Sequence, residues 1–214
     1  MFEPLYDLLM SDVDYEALLH EVKPYLNKHD LMLDAGCGSG YFLVELLKAG
    51  YHAIGIDYSS VMLSLAEQRL RSEGLMTKLY EHDLRHPIHA EVDVIFAMFD
   101  VMNYFRGVKG VFKHCYQALY PGGRLIFDLY HEDVLTEYDG YIEEEDEPTS
   151  YRWEIRCDHE KMTHYVDHQN ERDIIKQYIY PLSYYQEILE NLGFKVLVKP
   201  SIDPRKHLVI ATKE

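Results

Sequence analysis

The chain has 214 residues, with 37 Asp and Glu against 21 Lys and Arg, and a formal net charge of −16. That length suits one domain with a real core. A hydrophobic share of 47%, with aromatic residues at 13% of the chain, excludes a disordered chain, which could not bury enough apolar surface to offset its ordering entropy. The acidity repels phosphate backbones and makes nucleic acid an unfavourable partner.

In chain order, Ser11 and Asp14 stand at capping-box spacing ahead of Leu18, Leu19 and Val22, which share one helical face. A helix is therefore expected from Ser11, ended or kinked by Pro24, and residues 1–29 read as a helical cap. Residues 31–33 form a short apolar strand closed by Asp34 and a glycine cluster. Phe42, Leu43, Leu46 and Leu47 repeat at helical spacing, and Gly50 supplies the stop. A second strand is expected over His52–Asp57, then a helix capped by Ser59 and running to Ser72. Residues 78–81 and 92–99 read as strands three and four, and 108–119 as a helix. Pro121-Gly122-Gly123 turns into a fifth strand over 124–130.

Strands with apolar interiors alternating with helices predict an α/β fold, a doubly wound and mostly parallel sheet covered on both faces. Beyond Tyr130 the pattern changes. Tyr151, Trp153, Ile155 and Cys157 alternate with Arg152, Glu154 and Arg156, so 141–181 reads as a small antiparallel β layer inserted after strand five, placed as a lid. A last helix over 183–191 and a hairpin pair over 194–198 and 208–212 would close a seven-stranded sheet within one domain. The longest apolar run, 94–99, is far below the ~20 residues of a spanning helix. No Lys or Arg precedes Lys23, so no signal peptide is expected. Cys37, Cys115 and Cys157, odd in number and far apart, read as reduced thiols of a cytoplasmic protein.

The decisive segment is Leu33-Asp-Ala-Gly-Cys-Gly-Ser-Gly40, between a strand and a helix. Gly36, Gly38 and Gly40 allow a tight turn and close approach to a ligand, at a helix start rich in unpaired N–H groups. Asp57 ends strand two, where an acid can accept both hydroxyls of a ribose. The glycine spacing is G-x-G-x-G, preceded by an acid. A dinucleotide site uses G-x-G-x-x-G against a pyrophosphate, which Asp34 would repel, whereas a cationic amino acid would be attracted. Cys37 occupies a position that needs a small residue, so a nucleophilic role is not expected of it.

With Asp34-Ala-Gly-Cys-Gly-Ser-Gly40, Gly55-Ile-Asp57 followed by Ser59, Asp83-Leu84 after strand three and Pro121-Gly-Gly123 before strand five, the chain resembles the class I S-adenosylmethionine-dependent methyltransferases. The resemblance covers residues 30–130 closely. It implies the Rossmann-like methyltransferase fold and S-adenosylmethionine as cofactor. Asp34 and the Gly36, Cys37, Gly38 and Gly40 loop would lie along the methionine end. Asp57 would hold the ribose, Tyr58 could pack on the adenine, and Asp83 and Leu84 would sit beside it. Met98 or Phe99 would line the sulfonium region.

Acceptor contacts are sought at the strand-four exit, Phe99-Asp-Val-Met-Asn-Tyr-Phe105. It lacks the D/N-P-P-Y/F/W motif of enzymes that methylate exocyclic base amines. Asp100, Asn103 and Tyr104 are its polar candidates, with a helix cap and turn as the structural alternative for each. Aromatic residues of the insertion could enclose an apolar or cationic acceptor or form the insertion's own core. The clusters His82, His86, His89 and His159, His164, His168 lack metal-ligand spacing and read as surface or titrating histidines; no metal is expected. The expected activity is methyl transfer to a small-molecule acceptor. RNA or protein methylation, and a non-catalytic nucleoside-binding module, are the alternatives. Residues 1–22 hold six acids and 125–151 ten, with no Lys or Arg in either, while the other 165 residues balance at 21 of each sign. Residues 143–147 read as a solvated loop, or alternatively as a field that steers a cationic or amine acceptor.

Overall fold

The computed structural model describes residues 3–147 and 149–214. Among them, seven strands form one sheet: β1 (Leu31–Ala35), β2 (His52–Asp57), β3 (Leu79–Glu81), β4 (Val92–Ala97), β5 (Leu119–Tyr130), β10 (Phe194–Pro200) and β11 (Lys206–Lys213). Their spatial order is β10-β11-β5-β4-β1-β2-β3. Strands β1 to β5 pair in parallel, while β11 runs antiparallel to both β5 and β10. The sheet reverses its winding at β1, between β2 and β4, and the carboxyl ends of those strands open the crevice that such sheets use for ligands.

Alternation along the strands builds two cores. Leu33, Ile95, Leu125 and Phe127 face α5 (Lys109–Ala118) and α7 (Leu182–Leu192), which contribute Phe112, Cys115, Tyr185 and Leu189. Met32, Val94, Phe96 and Ile126 face α2 (Tyr15–Val22) and α3 (Tyr41–Lys48) on the opposite side, with Leu70 from α4 (Ser60–Ser72). The Pro121-Gly122-Gly123 turn lies inside β5. Val92 pairs with Leu119 and Val94 with Arg124, so four residues bulge out. A Cβ at Gly123 would stand 2.8 Å from the Tyr120 carbonyl oxygen and 2.9 Å from that of Asp93.

The insertion is a second sheet in the order β6-β7-β8-β9, formed by Ile142–Glu145, Tyr151–Asp158, Lys161–His168 and Glu171–Tyr178, all antiparallel. The short helix α6 (Val134–Glu137) leads into it, and Val134 packs with Ile155, Met162 and Ile179. A second cluster joins Leu5 of the first helix, α1 (Glu3–Leu9), to Tyr151 and Val166. The N-terminal cap and the insertion therefore meet.

Three local expectations are corrected. No helix starts at Ser11. Its hydroxyl donates back to the Leu8 carbonyl at 2.7 Å, and Asp14 caps α2 by accepting from the Ala17 N–H at 2.8 Å. Strand four stops at Ala97, because Phe99 and Asp100 both adopt left-handed backbone, φ 63° and 54°. His164 and His168 are buried on the inward face of β8 with Met162 and Val166, so they are not surface histidines.

Candidate functional site

The glycine loop follows directly from the end of β1. The N–H groups of Gly36 and Cys37 both donate to the Ile56 carbonyl, at 2.8 and 3.0 Å, which ties the loop to β2. Gly36 has φ 80°, and a Cβ there would stand 2.7 Å from a Val101 methyl; at Gly40, φ 84°, it would stand 3.0 Å from the Ala66 Cβ. Gly38 differs, since a Cβ would meet nothing within 4 Å. That peptide borders open space, and its N–H donates to Asp57 Oδ2 at 2.9 Å. Asp57 Oδ1 accepts from the Ser59 N–H at 2.8 Å. Burial raises the Asp57 carboxyl while these backbone donors oppose the rise. Each oxygen keeps a lone pair for a further donor.

Asp34 is 3% exposed, and its Oδ2 has no hydrogen-bond partner among the described residues. A buried oxygen with no donor is costly. Burial first, and the Asp57 charge second, push its carboxyl up to about 7. A buried ammonium group brought to this oxygen would supply both the missing donor and the missing charge. Cys37 is buried beside it, and burial carries its thiol far above the usual range, so it is inert.

The other expected cofactor contacts sit as follows. Tyr58 is 75% exposed. Leu84 belongs to the main core, and its carbonyl lies 3.1 Å from His114 Nδ1. The Asp83 carboxylate is held bidentately by Arg85, which brings its pKa down to about 2. It is a poorer acceptor for a new donor than its sequence position suggests. Met98 is buried with the α2 and α3 side chains, and Phe99 packs at its edge.

At the carboxyl ends of β4 and β5 lies a second feature, a cavity of about 260 Å³. Its floor is a charged cluster. Lys206 Nζ donates to Asp100 Oδ1 at 2.6 Å and to Asp128 Oδ2 at 3.3 Å, and the Asp100 N–H donates to Asp128 Oδ1 at 2.5 Å. Burial alone would lower the Lys206 ammonium, but Asp100 and Asp128 carry it well above its ordinary value. Burial likewise raises Asp128, against the pull of Lys206. Tyr6, Phe99, Tyr104 and Tyr130 form aromatic walls, and Trp153, His164, Ile175 and Gln177 of the inserted sheet complete them. Burial pushes the hydroxyl of Tyr104 up although two-fifths of the residue is exposed.

Of the three strand-four candidates, Asp100 and Tyr104 line this cavity and Asn103 does not. Asn103 is fully buried. Its amide donates to the Tyr178 carbonyl at 2.9 Å and its oxygen accepts from the Tyr130 N–H at 3.3 Å, so it braces the insertion against β5. The sequence reading missed Asp128, His164, Gln177 and Lys206. A lone acid in the apolar run Leu125-Ile-Phe-Asp-Leu, and the period-two register of His164 with Met162 and Val166, were the available signals for two of them.

The N-terminal cap is clasped to the loop. Arg69 pairs with Asp7 at 2.6 Å, donates to the Ser39 carbonyl at 2.9 Å and lies 3.3 Å over the Tyr41 ring, which stacks on Tyr15. The Ser59 hydroxyl donates to Glu3 at 3.2 Å. Among the described residues no group of three or more His, Cys, Asp or Glu side chains could hold a metal ion, and no helix is long and apolar enough to cross a membrane.

Residues 32–123 match the family described as a methyltransferase domain. A Bacillus subtilis (strain 168) protein described as a methyltransferase, YqeM, is 29% identical, over 91% of this chain and 85% of its own length. Among solved structures, an S-adenosylmethionine-dependent methyltransferase from Clostridium acetobutylicum ATCC 824 superposes with a TM-score of 0.83 at 23% identity, covering 99% of this chain and 97% of the other. The sugar N-methyltransferase KedS8 from Streptoalloteichus sp. ATCC 53650 gives 0.80 at 18% identity, over 98% and 92%.

Proposed function

We propose that this chain, whose residues 32–123 match a methyltransferase domain, is a class I S-adenosylmethionine-dependent methyltransferase whose methyl acceptor is a small cationic amine. The observation that carries this reading is the cavity at the carboxyl ends of β4 and β5, where two buried carboxylates face one lysine inside aromatic walls. An excess negative charge among ring faces favours an ammonium group over a neutral or anionic one. A volume of about 260 Å³ suits a small molecule rather than a polymer. The likeness to a sugar N-methyltransferase points the same way.

S-adenosylmethionine supplies a methyl group on a cationic sulfur that is already a good leaving group. In this reading Asp34 Oδ2 would hold the amino group of its methionine end, and the open peptide at Gly38 would border the cofactor. Asp57, already oriented by the Gly38 and Ser59 N–H groups, takes the ribose hydroxyls through its remaining lone pairs. Asp83 would have to share its carboxylate with Arg85 to reach the adenine. An amine that arrives protonated must lose a proton before it can act as a nucleophile. Asp100, lining the cavity on strained left-handed backbone, is the carboxylate assigned to hold that ammonium and receive its proton. The inserted sheet acts as the lid that excludes water and holds the acceptor in line.

Trp153 is the only tryptophan in the chain and lines the cavity, so its fluorescence reports on occupancy. With S-adenosylhomocysteine bound, tetramethylammonium should quench or shift it saturably, and neutral tert-butanol should not. An equal response to both, or to neither, would contradict a cation site.

A further inference from the structure

One hydrogen-bonded chain crosses from the inserted sheet to the cavity floor. Trp153 Nε1 lies 3.0 Å from His164 Nδ1, and His164 Nε2 lies 2.9 Å from Gln177 Oε1. The Gln177 amide nitrogen in turn donates to Asp100 Oδ2, whose other oxygen accepts from Lys206. Each of these five residues lines the cavity. Three of the bonds have directions that chemistry dictates. An indole N–H can only donate, so His164 Nδ1 must be bare and must accept. The imidazole proton is then on Nε2 and is donated to Gln177 Oε1. With its oxygen committed, Gln177 can present only its NH2 to Asp100, which fixes the direction of that bond as well. A protonated His164 would set one N–H against another at Trp153. Burial disfavours that state, while Gln177 and Asp100 oppose the effect.

We infer that His164 and Gln177 are positioning residues of the transfer reaction: Trp153 sets the tautomer of His164, His164 sets the orientation of the Gln177 amide, and that amide holds the Asp100 carboxylate toward the acceptor. The inference rests on the reading of the cavity as the acceptor site. It makes the inserted sheet part of the reaction's proton-accepting apparatus as well as its cover. The Asp100 carboxylate is faced by Lys206 from β11, Asp128 and Tyr130 from β5, Tyr6 from α1, Tyr104 from the turn after β4 and His164 from β8. The cluster therefore titrates as a unit.

The test uses the full chain with S-adenosylhomocysteine bound, labelled with 15N-histidine and 13C-aspartate. In the parent protein, His164 should show a bare Nδ1 and a protonated Nε2. This measurement needs no variant, so it survives any variant that fails to fold. In H164L and Q177L the acidic step of the carboxylate cluster should move to a pH higher by about 1, as expected for losing a donor to a carboxylate. Near that step, tetramethylammonium should bind roughly tenfold more weakly. H164Q, whose amide N–H can still donate to Gln177, should restore the parent titration. A proton on His164 Nδ1, or carboxylate titrations of H164L and Q177L that superimpose on the parent, would overturn the inference. If the titrations shift as expected but tetramethylammonium fails to bind the parent, the positioning chain stands and the cationic-acceptor reading falls.

Discussion

Asp34 is buried with an unmet demand. Its buried Oδ2 lacks a donor, and desolvation with the Asp57 charge pushes its pKa up to about 7. In an unfolded chain an Asp titrates near 4. The sign follows from linkage: a carboxyl raised in the folded state contributes stability that is full below the unfolded value and is lost as pH rises through about 7. A bound ammonium reverses the demand by favouring the carboxylate. Affinity for S-adenosylhomocysteine should therefore rise roughly tenfold between pH 6 and 8 as Asp34 ionises. D34N should bind weakly and with little pH dependence, which calorimetric titration across that range would reveal. An affinity in the parent that is flat with pH would remove Asp34 from this role. The glycines of the same loop divide their work differently. Gly36 and Gly40 are constrained by Val101 and Ala66 as well as by backbone angle, whereas Gly38 borders open space.

At the scale of elements, α1 and the inserted sheet form one roof. Leu5 packs on Tyr151 and Val166, while Asp7 and Glu3 fasten the same helix to Arg69 and Ser59. Leu5→Ala should cost the roof about 2 kcal/mol of local stability, at the low end for a buried leucine because the site is small and peripheral. Hydrogen exchange should then speed up over Glu3–Leu9 and β7 and β8, with β1 and β4 unchanged. Uniform acceleration across the whole chain would show that the roof does not open separately. The same elements mark what the sequence made readable. His52–Asp57 and the Ser59-capped helix to Ser72 are found within their expected bounds, because period, cap and stop all agree there. Strand four ends two residues before its apolar run does, because that run continues through Met98 and Phe99 while the backbone turns left-handed at Phe99. Asn103 and Tyr104 looked equivalent in sequence. Tertiary packing separates them, turning one inward to brace Tyr178 and leaving the other on the cavity. The partners of Asp100 come from β5, β9 and β11, at separations of 28, 77 and 106 residues, and no local pattern announces contacts of that range.

At the scale of the whole molecule, the net charge of −16 is unevenly spread, with the excess in residues 1–22 and 125–151. The first segment includes α1 and α2, and the second includes the end of β5, α6 and β6. Asp128, from the second segment, reaches the cavity floor. Glu143 is occupied by the hydroxyls of Tyr141 and Tyr151. Glu144, Glu145, Asp146 and Glu147 lie on or beside the edge strand β6. Acidic segments of this kind repel nucleic acid and draw in small cations over about a Debye length, in agreement with the charge of the cavity itself. The most direct test of the account is to supply the protein with methyl-labelled S-adenosylmethionine and a mixed extract, then separate small molecules, RNA and protein and fractionate the small molecules by charge. Label should appear in the small cationic fraction and be lost in D34N. Label in RNA, in protein or in neutral and anionic small molecules would contradict it.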